Sequence, residues 1–392
     1  MSPWPWRKAV LLLCLVGLLT GCWNRREIQE LAIVTGIGVD WNAETEQYEL
    51  TIQVARPALV PRPGEAAGAG GPGREPYFFA LTSGPTFAEA ISNALESRTR
   101  RLYLPHLQSV VFGEDLARKG LTEILDWLWR HPDVRPFVDL LVAKGKAREV
   151  FAGKAPLEDI SGRAMVLLME RAAPHGRARS ATLLDVMYAF ATPGTAAFQP
   201  AITLRNTGTP STEVSPGFDE FKVDGIGVFD RDRLVAFLNE SESRGAMWAR
   251  GDIRQTTVTV PGRRGLLTSF SLRGVKRQVQ VVPQGAGKLP LMRLTVRADA
   301  RMLQQESPLT STPDEVLAFL EGALSRKIKA EIEAAIAATK SAGADVIGFS
   351  ESLRRADPNL WHQVSANWDE RYRDLPVEVT VEVYIRTTGM LR

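Results

Sequence analysis

Residues 312–343 read TPDEVLAFLEGALSRKIKAEIEAAIAATKSAG, and this stretch decides the fold class. Thr312 with Glu315 three residues on forms a capping box, and Pro313 occupies the first helical position, so a helix starts here. Leu320, Leu324, Ile328, Ile332 and Ile336 then recur every four residues until the helix ends near Gly343. A ridge of that spacing suits packing across a sheet. The strands it needs flank it. Segments 256–260, 276–282 and 291–302 read as antiparallel strands joined by short turns. At the end of the chain Val377, Val379, Val381, Val383 and Ile385 face inward, while Glu378, Thr380, Glu382 and Arg386 face out. Strands, a long helix and a closing strand predict an α+β domain. Between helix and closing strand, Asp357-Pro358 starts another helix carrying Trp361, Val364 and Trp368 on one face.

Further upstream, 225–229 and 234–239 read as strands, followed by the short segment 244–250. Residues 207–218, rich in Thr, Ser and Pro, read as a linker between two domains, 22–206 and 219–392. In the first of these, strand and helix interleave: strands at 50–54, 77–81, 107–112 and 137–143, helices at 86–98, 122–130, 165–171 and 183–190. The antiparallel-rich sheets of both parts pack with helices. Residues 57–76, PALVPRPGEAAGAGGPGREP, read as a disordered loop. Gly68, Gly70 and Gly73 satisfy G-x-G-x-x-G there, but Pro72 interrupts them without a strand before or a helix after, so the match is accidental.

The amino terminus settles the compartment. Arg7 and Lys8 precede an apolar run over 9–20, and Leu19-Thr20-Gly21-Cys22 closes it with the small-small-Cys junction of a lipoprotein signal. Twelve residues of helix rise about 18 Å, short of the ~30 Å hydrocarbon core. Residues 1–21 are therefore a signal to be removed, and Cys22 becomes the mature amino terminus with diacylglycerol on its sulfur. Two acyl chains give stable anchoring, at ~0.8 kcal/mol per buried CH₂. Of 392 residues, 371 remain, and loss of Arg7 and Lys8 leaves 46 basic against 45 acidic side chains. Nothing in that balance attracts nucleic acid. Cys14 leaves with the signal, so the exported body has neither thiol chemistry nor a disulfide.

Residues 22–40, CWNRREIQELAIVTGIGVD, closely resemble the start of the Ger(x)C family of spore germination lipoproteins, the C subunits of germinant receptors. A second block, Val228-Phe229, Leu234-Val235, Leu238-Asn239-Glu240, Arg244-Gly245 and Trp248, is similar to the opening of that family's C-terminal domain. Asp345-Val346-Ile347-Gly348-Phe349 through Arg354, Pro358 and 361–368 is similar to its closing helices. Asn24 stands where Asp is expected, and Val346-Ile347 replaces Ile-Phe. The resemblance implies a protein of three mixed α/β layers or domains, made by an N-terminal and a C-terminal germination-protein domain and held by lipid at the outer face of the inner spore membrane. It implies a non-enzymatic subunit of a nutrient receptor, working beside two polytopic subunits and required for germination. The alternative is a lipid-anchored solute-binding protein that captures the germinant itself. Only Cys22 carries over with a chemical role.

The residues themselves point to no catalysis or cofactor. His106, His131, His175 and His362 are the only histidines, no two at i,i+3 or i,i+4 spacing, and no metal site is expected. No nucleophile elbow or phosphate-cradling loop stands in a strand-to-helix context. Arg293, Arg297 and Arg301 share one strand face, read either as a headgroup- or partner-facing patch or as a solvated sheet face. Trp361 and Trp368 read as core rather than as a ligand cradle. Glu240, Arg244 and Trp248 are the candidate interface residues, since Arg and Trp are favoured at interfaces; an internal, ion-paired turn is the competing reading.

Overall fold

The computed structural model describes residues 31–56, 75–96, 100–153, 158, 160–206, 219–262, 265–285, 288–305 and 314–387. Cys22, the signal, most of the 57–76 loop, the 207–218 linker and the Thr312-Pro313 cap lie outside the described residues.

The chain opens with strands β1 (Leu31–Asn42), β2 (Gln47–Ala55) and β3 (Tyr77–Gly84), then helix α1 (Phe87–Glu96). Strands β4 (Arg101–Tyr103) and β5 (Ser109–Phe112) follow, then α2 (Glu114–Lys119), α3 (Thr122–Arg130) and β6 (Asp139–Ala143). Helices α4 (Ala147–Ala152), α5 (Ser161–Ala172) and α6 (Leu183–Ala191) lead to β7 (Phe198–Asn206). Next come β8 (Asp219–Asp230), β9 (Arg233–Leu238), α7 (Glu240–Arg250), β10 (Gln255–Pro261), β11 (Leu267–Val282) and β12 (Leu291–Gln305). The chain closes with α8 (Asp314–Ala342), α9 (Phe349–Ala356), α10 (Pro358–Val364), α11 (Trp368–Asp374) and β13 (Val377–Thr387).

These strands make two sheets, giving the mixed α+β architecture that the helix and closing strand predict. Among the described residues the larger sheet runs β3-β2-β1-β5-β6-β7-β8-β9, with β4 also paired to β1. Its middle is parallel, from β1 through β5 and β6 to β7. Parallel strands are covered on both faces, which explains the near-continuous apolar runs of β5 and β6. Val111 and Leu141 point into one core, and Val110, Phe112, Leu140 and Val142 into the other. The strands flanking residues 207–218, β7 and β8, pair antiparallel, so this sheet draws on both sides of that segment.

The smaller sheet is β10-β11-β12-β13. Its first three strands are antiparallel, and β13 joins β12 in parallel because four helices separate them. The α8 ridge is buried throughout: Leu320, Leu324, Ile328, Ile332 and Ile336 are at most 6% exposed. The helix expected from Asp357 onward divides into α10 and α11 around a short 3-10 turn at Ser365–Asn367. Trp361 and Trp368 still meet edge to face, centroids 5.3 Å apart, inside the core.

Candidate functional site

Among the described residues, those that carry the family resemblance are placed by local packing. In β1, Gly36 and Gly38 let the Phe151 ring lie on the backbone, where an added Cβ would come within 2.7 and 2.9 Å of it. Asp40 then accepts the Ala147 and Arg148 N–H groups at 2.8 and 2.9 Å, satisfying the start of α4. Burial raises its pKa despite those two bonds. Asp345 does the same for α9, accepting from the Gly348, Phe349 and Ser350 N–H groups at 2.8, 3.1 and 2.6 Å. Gly348 between them has φ +85°, a conformation that favours glycine.

The middle block is α7. Asn239 caps it reciprocally with Glu242, and Gly251 at φ +76° ends it. Gly245 meets α8 so closely that a Cβ would fall 1.9 Å from the Glu331 carbonyl oxygen. That approach brings Arg244 and Trp248 onto one carboxylate. Glu331 accepts the Arg244 Nε–H at 2.8 Å and the Trp248 Nε1–H at 3.2 Å, and the Arg244 Nη2 closes a bidentate pair. This hydrogen bonding raises the Arg244 pKa against burial. Of the three candidate interface residues, Trp248 is wholly buried and Arg244 is committed to Glu331 inside the chain, while Glu240 is exposed, 3.7 Å from Arg177. Glu331 is the residue that reading in sequence missed. It lies three positions after Ile328, an acid on the buried face of an apolar ridge, and that is the signal that marks it.

Beside α7 opens a cleft of about 560 Å³, lined by Arg171, His175, Arg177, Arg205, Lys222 and Arg244 together with Glu240. Several of its cations are matched by carboxylates: Arg205 meets Glu220 at 3.3 Å and Lys222 meets Asp224 at 2.9 Å. The remaining candidates are accounted for by the sheet. Arg293 and Arg297 pair across to Glu378 and Glu382 at 2.9 and 2.7 Å, and Asp299 pairs with Arg386, while Arg301 is exposed on the same face. Among the described residues, no group of three His, Cys, Asp or Glu side chains is arranged to hold a metal ion.

Two family models match the chain in order. Residues 24–204 match the spore germination protein N-terminal domain, and residues 224–389 match the spore germination B3/GerAC-like C-terminal domain. The chain belongs to the Ger(x)C family of spore germination proteins. Similar proteins include spore germination protein KC of Bacillus subtilis (strain 168), 29% identical across 97% of this chain and 95% of that one. Spore germination protein B3 of the same organism is 23% identical over 95% of each chain. The crystal structure of the GerBC protein aligns with 90% of this Ger(x)C chain and 97% of its own, at TM-score 0.55 and 20% identity, which shows a shared fold. The cap residues Asp40 and Asp345 and the crossing glycine Gly245 all lie within the stretches matched by the two family models, and in this chain each of them builds the fold locally.

Proposed function

We propose that this Ger(x)C protein is a lipid-anchored, non-enzymatic subunit of a nutrient germinant receptor, acting at the outer face of the inner spore membrane beside two polytopic subunits. The observation that carries this reading is the ordered match of both family models along the chain. The lipoprotein junction at Cys22 supplies the attachment, and no helix of the described residues is long and apolar enough to cross a membrane. Its action is docking: anchoring confines the folded body to the membrane surface and raises its effective concentration near its partners, through which the signal passes inward. Cys22→Ala should abolish incorporation of a fatty-acid analogue, and spores carrying it should respond weakly to nutrient yet normally to triggers that bypass receptors. Cross-linking in spore membranes should capture two polytopic proteins. Undiminished label in Cys22→Ala, or nutrient response unaffected by deleting the protein, overturns the reading.

The cleft around Arg171 and Arg177 favours one second reading, direct capture of an anionic nutrient. Calorimetry of the anchored protein against carboxylate nutrients tests it. A binding heat that Arg171→Ala removes would support capture, and its absence would leave the docking role alone.

A further inference from the structure

Strands β1, β4, β5, β6 and β7 all run in one direction, so their amino-terminal ends share one edge of the large sheet, with Ser109 and Asp139 opposite Gly36, five residues further along than the aligned pair Leu31 and Arg101. That amino-terminal edge carries the two most exposed large apolar side chains among the described residues, Phe137 at 71% and Tyr188 at 63%. Phe137 stands two residues before β6, and α6 begins beside it. There the Leu184 N–H donates to the Pro136 carbonyl at 2.9 Å and the Leu183 N–H to that of Val138 at 3.0 Å. One turn separates Leu184 from Tyr188, so both stand on the outer side of α6. Arg101 opens β4 at this edge with Arg100 just before it, and Arg135 stands two residues before Phe137, all three exposed. Asp185, the acid on this turn of α6, is held by the Thr182 cap and by Arg179 at 3.4 Å.

The same edge is where the tether ends. Leu31 stands nine residues after Cys22, a span of at most about 30 Å even fully extended. A lipid on Cys22 therefore keeps this edge, rather than the β1–β2 turn at the other end of the strand, close to the bilayer. A single flexible tether would still let the body roll. Exposed aromatic rings settle at the headgroup level of a bilayer, and arginines beside them are drawn to anionic headgroups. We infer that this edge lies on an anionic phospholipid surface: Phe137, Leu184 and Tyr188 enter the headgroup layer while Arg100, Arg101 and Arg135 meet its phosphates, fixing one orientation of the body. The inference rests on acylation of Cys22 and goes beyond it by naming the face that meets the membrane.

The chain offers a clean test, since the mature body has no cysteine besides the acylated one. The full-length acylated protein, carrying Tyr188→Cys, Phe137→Cys or the distal control Thr45→Cys, is labelled with an environment-sensitive fluorophore. It is then mixed with vesicles of phosphatidylglycerol and phosphatidylcholine containing a headgroup-level quencher. Labels at 188 and 137 should be quenched severalfold more than the label at 45. Replacing Arg100, Arg101 and Arg135 together by Glu should erase that difference while the protein still floats with the vesicles and melts as before. Equal quenching at all three positions overturns the orientation and leaves a freely rolling body. Quenching of none, with the protein bound to vesicles, overturns the proposal by showing that the edge faces solvent away from the bilayer. Failure of the unsubstituted acylated protein to float overturns the anchor itself, and the flotation assay separates that result from the other two.

Discussion

Glu331 takes hydrogen bonds from two side chains on another helix while only 5% exposed. Removing it leaves the Arg244 guanidinium and the Trp248 indole without their acceptor, and breaking such a buried pair costs about 3–5 kcal/mol. Glu331→Ala should lower the unfolding free energy measured in urea by that amount, while Glu331→Gln, which keeps an acceptor for Trp248, should lose less. A half-buried acid works in the opposite sense. Burial pushes Asp139 up to about 6, with Glu170 and Asp185 adding repulsion and the Ser180 hydroxyl opposing. The folded state holds this proton more tightly than the unfolded chain, so the stability it contributes is present below the ordinary value of 3.8 and is lost as pH rises through about 6. Asp139→Asn should flatten that part of the pH profile, read from melting temperatures at about pH 5 and about pH 7. At this scale the sequence is half legible. The block around Arg244 and Trp248 stands out by composition, but its carboxylate partner lies 87 residues from Arg244, beyond any local spacing rule. Asp345, by contrast, sits within five residues of everything it caps, inside a block that the sequence marks only by its family resemblance.

Among the elements, the α7–α8 crossing depends on one missing side chain. Gly245→Ala would place a carbon against the Glu331 backbone, which cannot turn aside as a side chain does, so the helices must part. Overpacking of this kind costs about 1–3 kcal/mol, and the same loss should appear in chemical denaturation with the Arg244–Glu331 pair intact in sequence. The β2–β3 hairpin makes the opposite prediction. Its ladder runs to Ala55 opposite Tyr77, and the Arg56 N–H reaches the Pro76 carbonyl at 2.6 Å, so pairing is complete at the foot of the 57–76 segment. Deleting residues 61–73 should shift stability by no more than about 0.5 kcal/mol in a thermal melt. Elements with a strong period, such as α8 and β13, are legible because one face of each is buried and the other wet. β1 is not: it is covered on both faces and interrupted by Gly36 and Gly38, so alternation is lost. The parallel pairing of β13 becomes predictable only when the helices before it are read as a crossover.

For the molecule as a whole, the decisive feature is a sheet that ignores the composition of the chain. Thr, Ser and Pro over 207–218 look the same whether they join two domains or connect two neighbouring strands. Here the strands on either side are hydrogen-bonded, and β8 supplies Ile226 and Val228 to one core and Phe229 to the other. A chain ending at residue 206 would leave β7 as a bare edge, its Phe198, Pro200, Ile202 and Leu204 stripped of the β8 cover, and it should aggregate on its own. Mixed with residues 207–392, it should regain solubility, a result that size-exclusion chromatography would show directly.

Recombination between relatives is constrained by the same sheet. A chimaera joined within 207–218, the most linker-like point in the sequence, sets a foreign β8–β9 ribbon against Phe198, Ala201 and Ile202 and must match their shapes strand for strand. One joined after Leu238 carries the whole sheet from a single parent and exchanges only what lies beyond it. Gene exchange among receptor subunits should therefore leave its scars after β9, and the soluble yield of the two chimaeras would rank them.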